Sequence, residues 1–159
     1  MVQALSTFTL IHVAICLIAI LSGLVVLFGL IDNKRMNGMT ALYLFFTAAT
    51  SVTGFFFPFH GVTPAIILGI ISCVVLVPTL LARYQFGMRG VWRPVYVIGA
   101  VLLLYLNCFV LVVQSFQKVP ALHTLDPTQS GAPFLVAQGL TLVFFVVTGW
   151  MATKRFRAM

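Results

Sequence analysis

Five long apolar runs, each parted from the next by a few polar residues, set the pattern of the chain. They cover about 10–31, 41–57, 64–82, 94–116 and 133–153. Each is about 17–23 residues long, the length a helix needs to cross roughly 30 Å of hydrocarbon. No Asp, Glu, Lys or Arg falls inside any of them. Backbone polar groups in lipid must be paired within the segment, so the runs predict helices. The alternating ten-residue signature of a membrane β-barrel is absent. The pattern therefore predicts an all-α integral membrane protein. It is a bundle of five transmembrane helices forming one membrane domain over 1–159.

The punctuation agrees. Short connections make neighbouring helices antiparallel. Thr63 can cap the third helix and Pro64 suits its first turn. Pro78 should disturb the same helix near its far end. The one long connection, 117–132, carries Val119, Leu122 and Leu125 at spacings of three, which predicts a short interfacial helix.

Composition narrows the class further. The 159 residues are 62% hydrophobic and 7% charged, with a mean hydropathy of +1.15. Soluble domains carry about 25% charged residues, so a soluble, a disordered and a disulfide-rich secreted chain are all excluded. Only two carboxylates stand against nine Lys and Arg. That is too few for most metal cages or a paired-carboxylate acid/base site.

The basic residues fix a direction. Lys34, Arg35, Arg83, Arg89, Arg93, Lys154, Arg155 and Arg157 flank one set of helix ends, and Lys118 alone flanks the other. The positive-inside rule then places the N-terminus outside and the C-terminus in the cytoplasm. The arginines are scattered over short juxtamembrane turns, so they read as topology, with lipid headgroups as partners and no nucleic acid. The first run has no positive leader and exceeds the apolar core of a cleavable signal, so it is expected to stay as a span.

Within lipid, helices associate through small residues and interhelical hydrogen bonds. Cys16, Ala19, Ser22 and Gly23 form such a stripe on the first helix. Thr47, Thr50, Ser51 and Gly54 do so on the second, and Ala65, Gly69, Ser72 and Cys73 on the third. Stronger polarity lies on the last two. Asn107 and Gln114, seven apart, share a face with Tyr96, Ala100 and Leu103. Gln138 falls at a depth close to Gln114 and is expected to reach Gln114 or Asn107. These amides form either an interhelical clamp or, with His12, Thr50 and Ser51, a pocket for a polar headgroup such as a quinone or lipid carbonyl.

All three histidines fall on the predicted outer side: His12 in the first helix, His60 in the turn after the second, His123 in the long loop near Asp126. Imidazoles with one carboxylate can bind a metal ion, and two facing imidazoles can ligate haem b. Interfacial hydrogen bonding is the plainer alternative. No HxxxH pair, nucleophile elbow or phosphate loop is present. Cys16, Cys73 and Cys108 form no CxxC pair and suit buried apolar positions.

The stretches Thr50–Phe59, Tyr105–Leu122 and Pro133–Gln138 resemble those of a family of small, uncharacterised proteobacterial inner-membrane proteins. The resemblance implies the bacterial cytoplasmic (inner) membrane and a polytopic helical fold. It carries no activity and no functional residue. The tryptophan-rich sensory proteins of translocator type are similar in span number, but their Trp/Pro motifs are missing here.

The sequence thus points to a non-enzymatic inner-membrane protein. It is either an accessory subunit of a larger complex or homo-oligomer, or a binder of a lipid or quinone at the outer leaflet. Haem or metal handling through His12, His60, His123 and Asp126 is the alternative, and a small neutral channel or permease a third. In a background free of native cysteines, a thiol placed beside Arg89 should resist an impermeant maleimide supplied from the periplasm. A thiol at Thr124 should react, and the reverse pattern inverts the topology.

Overall fold

The computed structural model describes residues 7–58, 61 and 63–157. Its elements are α1 (Thr7–Ile31), α2 (Asn37–Gly54), α3 (Pro64–Leu80), a π-helical turn (Leu81–Gln85), α4 (Trp92–Lys118), α5 (Pro120–Leu125) and α6 (Ala132–Arg155). Four helices are long and apolar enough to cross a membrane: α1, α3 with its π extension, α4 and α6. At 18 residues α2 is long enough, about 27 Å, but Asn37 and its Thr and Ser residues keep it less apolar than the other four. It ends at Gly54, whereas the apolar run continues to Phe57. Phe55 leaves the helix and lays its ring on Gly69 of α3.

The local signals explain the ends. Thr63 accepts a hydrogen bond from the Ile66 amide at 3.4 Å, and Pro64 opens α3. Pro78 lies three residues before the α-to-π transition. Proline removes one donor from the ladder and crowds the preceding turn, and a wider turn relieves both effects. The expected short helix in the long connection is α5.

α4 is the hub. It packs against α1, α3 and α6, while α2 lies between α1 and α3. The small-residue stripe of α1 is where the contact closes. A Cβ on Gly23 would stand 2.6 Å from Leu104 and 2.8 Å from Tyr43. Tyr43, fully buried, donates its hydroxyl to the Ala100 carbonyl at 2.7 Å, joining α2 to α4. Gly99 of α4 admits Thr79 of α3, and Gly149 of α6 admits Val101. The stripe on α3 follows expectation less closely: Ala65 is exposed and Gly69 meets Phe55.

Arginines close one end of the bundle. Arg83, on the π turn, is buried. Its Nη2 donates to the Arg35 carbonyl at 3.1 Å and to Asn37 Oδ1 at 2.5 Å, and its Nη1 to Met88 Sδ at 3.3 Å. The guanidinium also lies 5.1 Å from the centre of the Tyr96 ring, a cation–π distance. Arg93 donates to the Thr153 and Phe156 carbonyls at the end of α6, and the Arg157 amide to Asn33 Oδ1. These contacts gather the basic residues at one end, as the charge pattern predicts. They also give two arginines a structural task that the pattern does not reveal.

The core is lopsided. Buried side chains occupy α1 from Ala19, α2 from Thr40 to Ser51, α3 at Leu76 and Thr79, α4 from Tyr96 to Leu106 with Phe116 apart, and α6 from Phe145. Toward the other end, 7–18, 64–75, 107–115 and 132–144 contain no buried residue. The accessible surface is 9419 Å², against about 7,900 Å² for a soluble monomer of this mass. Much of the outward surface is large aliphatic side chains such as Leu135, Leu140 and Val143 on α6. That is the surface of a helix bundle whose solvent is hydrocarbon.

Gly99→Ala should lower the stability of the detergent-solubilised protein by about 1–3 kcal/mol through overpacking against Thr79. Gly139→Ala, where an added Cβ meets nothing within 4 Å, should be neutral or slightly stabilising. Paired thermal melts compare the two.

Candidate functional site

The polar residues of the bundle divide into those with partners and those without. Most hydroxyls are satisfied by their own helix. Ser22, Ser51, Thr53, Thr79, Thr141, Thr148 and Thr153 each donate to the carbonyl four residues earlier. Among the described residues, the buried side-chain atoms left without a hydrogen bond are Thr47 Oγ1, Thr50 Oγ1, Tyr96 OH, Asn107 Nδ2 and Gln138 Oε1. An unmade bond to a buried polar group costs about 1–3 kcal/mol, so this short set is informative.

Two of these atoms share a level. Both α2 and α4 start at the arginine-closed end, so they run the same way. Thr50 and Asn107 each lie seven residues, about 10.5 Å, beyond the Tyr43–Ala100 hydrogen bond. Cys16 lies seven residues before Gly23 on the antiparallel α1 and reaches the same level. The Thr50 hydroxyl stands near the Cys16 thiol, and that of Thr47 near Tyr43, in both cases without hydrogen-bond geometry. Asn107 therefore presents an unpaired amide N–H on the α4 face that carries Tyr96, Ala100 and Leu103, all buried. Gln114 continues that face two turns outward, half-buried. Ser51 is buried beside Thr50, its hydroxyl turned to the Thr47 carbonyl at 3.0 Å.

His12 extends the same wall. Its Nδ1 lies 2.7 Å from Thr53 Oγ1, and its ring meets Phe57 edge-on with centroids 5.0 Å apart. As the α1 stripe predicts, it faces α2.

Gln138 does not join them. Its Nε2 donates to the Phe109 carbonyl at 3.2 Å, so the expected contact with Asn107 or Gln114 is replaced by one to the backbone. The reason is rotational. At 100° per residue, Phe109 lies roughly 160° around α4 from Asn107. α6 packs on the side of Val101, Tyr105 and Phe109, as the Tyr105–Phe145 ring contact and the Gly149–Val101 approach show. An open groove of about 340 Å³, lined by Leu24, Cys108, Leu140, Thr141 and Phe144–Phe145, runs below Gln138 on that side.

Of the residues considered for metal or haem, the described ones are engaged elsewhere or exposed. His60 lies outside the described residues. His123 is exposed. Asp126 is 4% exposed and already engaged: its Oδ2 accepts from the Gly131 amide at 2.8 Å and the Phe134 amide at 3.4 Å, and its Oδ1 from Thr128. It caps the N-terminus of α6, where a carboxylate is favoured by orphan amides and helix dipole together. Among the described residues no three of His, Cys, Asp and Glu cluster as metal ligands. The three cysteines are free and separate.

Sequence reasoning missed the buried arginine and the Asp126 cap. A usable signal existed for the second: Asp126 precedes Pro133 by one short turn, and α6 has no other acidic residue near its start. For Arg83 the one hint was its position directly after an apolar run, which every juxtamembrane arginine shares.

Fold and site together define an all-α, multi-span membrane-type helix bundle with a small unpaired polar cluster inside it. The chain matches no protein-family model, no curated protein and no solved structure.

Asp126→Ala should cost about 1 kcal/mol by uncapping α6. Asn107→Leu should leave the thermal midpoint of ligand-free protein unchanged or raise it, because it removes a donor that has no partner. Tryptophan-monitored melts in detergent decide both.

Proposed function

We propose that this chain is a non-enzymatic, five-span protein of the bacterial cytoplasmic membrane. Its N-terminus lies outside, and in its outer half it holds a lipophilic molecule with a polar head, a quinone or lipid. The fifth crossing is α2, which runs alongside α1 over about the thickness of a bilayer core.

One observation carries the reading. The contiguous packed core stops at the level of Asn107, with Phe116 buried apart from it near the far end of α4, and Asn107 presents a buried, unpaired N–H at that boundary. Below it the helices are close-packed; above it they have no buried side chains on α1, α3 or α6. A carbonyl in the ligand head would accept from Asn107 Nδ2. The Thr50 hydroxyl can act in either sense, and His12 with Gln114 would line the approach. The ligand's chain would lie among the exposed Phe, Leu and Ile residues of the outer half. Gln138, on the far side of α4, serves the α4–α6 contact in this reading.

Accessory-subunit behaviour is the second reading, favoured by the apolar face of α6, where Val136, Leu140, Val143 and Trp150 are all exposed. Here another chain, or a second copy, fills the outer half in place of a small molecule.

Solvent extraction and mass spectrometry of protein purified from native membrane should recover a near-stoichiometric lipid or quinone. Asn107→Leu/Thr50→Val should lose it while melting normally. Unchanged retention in that folded variant refutes the pocket. A stable co-purifying polypeptide without a small molecule supports the second reading instead.

A further inference from the structure

His12 stands toward the open end of the bundle, and its neighbours fix more than its position. Its Nδ1 lies 2.7 Å from Thr53 Oγ1. The same oxygen lies 2.6 Å from the Ala49 carbonyl and 3.3 Å from that of Thr50. A carbonyl can only accept, and two oxygens this close repel unless a proton lies between them. The Thr53 proton is therefore directed at Ala49. A hydroxyl has one proton to give, so Thr53 meets the imidazole as an acceptor. The proton in that contact belongs to His12 Nδ1.

The other ring nitrogen follows from this. A doubly protonated imidazole would be a charge at the edge of hydrocarbon, where a charge needs a partner. The chain has two carboxylates. Asp32 pairs with Lys34 at the arginine-closed end, and Asp126 accepts from the Gly131 and Phe134 amides and from Thr128. A neutral ring protonated at Nδ1 carries a lone pair at Nε2, because the bond made by one nitrogen sets the role of the other. No hydrogen bond to Nε2 is formed among the described residues. The half-buried ring is held in place by Phe57, edge-on, with Phe8 packed on Phe57 at 4.9 Å between centroids.

Asn107 and His12 thus present opposite halves of a hydrogen bond. Asn107 offers a buried N–H, and His12 offers an acceptor. His12 lies four residues, about 6 Å, beyond Cys16, which is level with Asn107. A ligand head that meets both has an acceptor at the deeper level and a donor about one turn nearer the membrane surface. Oxidised quinones and glycerol triesters supply acceptors alone. We propose that the molecule held in the outer half carries a free hydroxyl in its head, and that this hydroxyl donates to His12 Nε2. The inference rests on the outer-half pocket and narrows its ligand to a glycerolipid with an unesterified hydroxyl or a quinol. Thr53 is the positioning residue: it takes the Nδ1 proton and leaves Nε2 bare.

Two matched pairs isolate the hydroxyl: dioleoylglycerol against its acetyl ester, and decylubiquinol against decylubiquinone. Each is titrated into delipidated protein in dodecyl maltoside, and the bound fraction is read by native mass spectrometry. In at least one pair the hydroxyl-bearing member should bind at least about tenfold more tightly, since a polar group left unpaired in a site disfavours the analogue that cannot meet it. The pair that discriminates identifies the source. His12→Phe and Thr53→Val should each abolish the preference, and His123→Gln, on an exposed side chain, should keep it. In a His60→Gln/His123→Gln background His12 is the sole histidine. Nitrogen NMR of that protein with isotopically labelled histidine should show a proton on Nδ1 and none on Nε2. The hydroxyl probe should then move the Nε2 resonance upfield. A proton on Nε2 in ligand-free protein overturns the proposal, as does a preference that survives in folded His12→Phe or Thr53→Val protein. Equal binding within both pairs overturns it while the pocket stands, whereas binding by none of the four probes removes the pocket as well.

Discussion

A hydrogen-bonding group without a partner costs more in hydrocarbon than anywhere else in a protein, and the polar side chains here are disposed by that constraint. Most serine and threonine hydroxyls, Thr47 and Thr50 excepted, turn back to their own helices, so they add small-residue surface without demanding a partner across the bundle. Among the described residues, the side-chain bonds that join helices within the apolar zone include Tyr43 to Ala100, Gln138 to Phe109 and His12 to Thr53. Bonds of this kind contribute only about 0.6 kcal/mol each in membrane bundles. The association therefore rests on close approach at Gly23, Gly99 and Gly149, with arginines fastening one end.

The same constraint explains how Arg83 is buried without a carboxylate. A buried ion pair would still have to offset the desolvation of two charges. Here one charge is taken in and met by a backbone carbonyl, an amide oxygen, a thioether and an aromatic face. The carbonyl of Arg35 lies in the connection between α1 and α2 and accepts from Thr40 Oγ1, at 3.4 Å, as well as from Arg83. The π turn after Pro78 carries Arg83 at the point where α3 leaves its α-helical course. Proline, π turn, buried arginine and left-handed Met88 form one continuous structural device at this end.

What the sequence made legible follows from these physics. Hydropathy reports the helices and charge reports which ends lie together, because both are properties of whole segments. Thr63, Pro64 and the spacing of Val119, Leu122 and Leu125 also read true, since a cap or a short amphipathic turn is decided within a few residues. Rotation about a helix axis is different. Asn107 and Phe109 are two residues apart, yet they face different neighbours, and the side on which α6 docks was not encoded in any local spacing. Gln138 could thus be placed at the right depth and still meet the wrong side of α4. Arg83 was misread for a related reason: a basic residue at a helix end is compatible with facing water, headgroups or the bundle, and only the course of the chain after Pro78 selects among them.

The lopsided core links these structural facts to function. A bundle fastened at one end and packed through half its length has no need to bring its outer halves together, and their surfaces remain apolar. Bulk lipid would cover such surfaces adequately. Bulk lipid tails would not answer the unpaired N–H of Asn107, because hydrocarbon offers no acceptor. If helix packing alone had shaped this level, leucine at 107 would serve at least as well and would avoid the cost of burying an amide. In the proposed reading, the asparagine at the boundary between packed and open halves, level with an unpaired threonine hydroxyl, meets a polar group that enters from the open half.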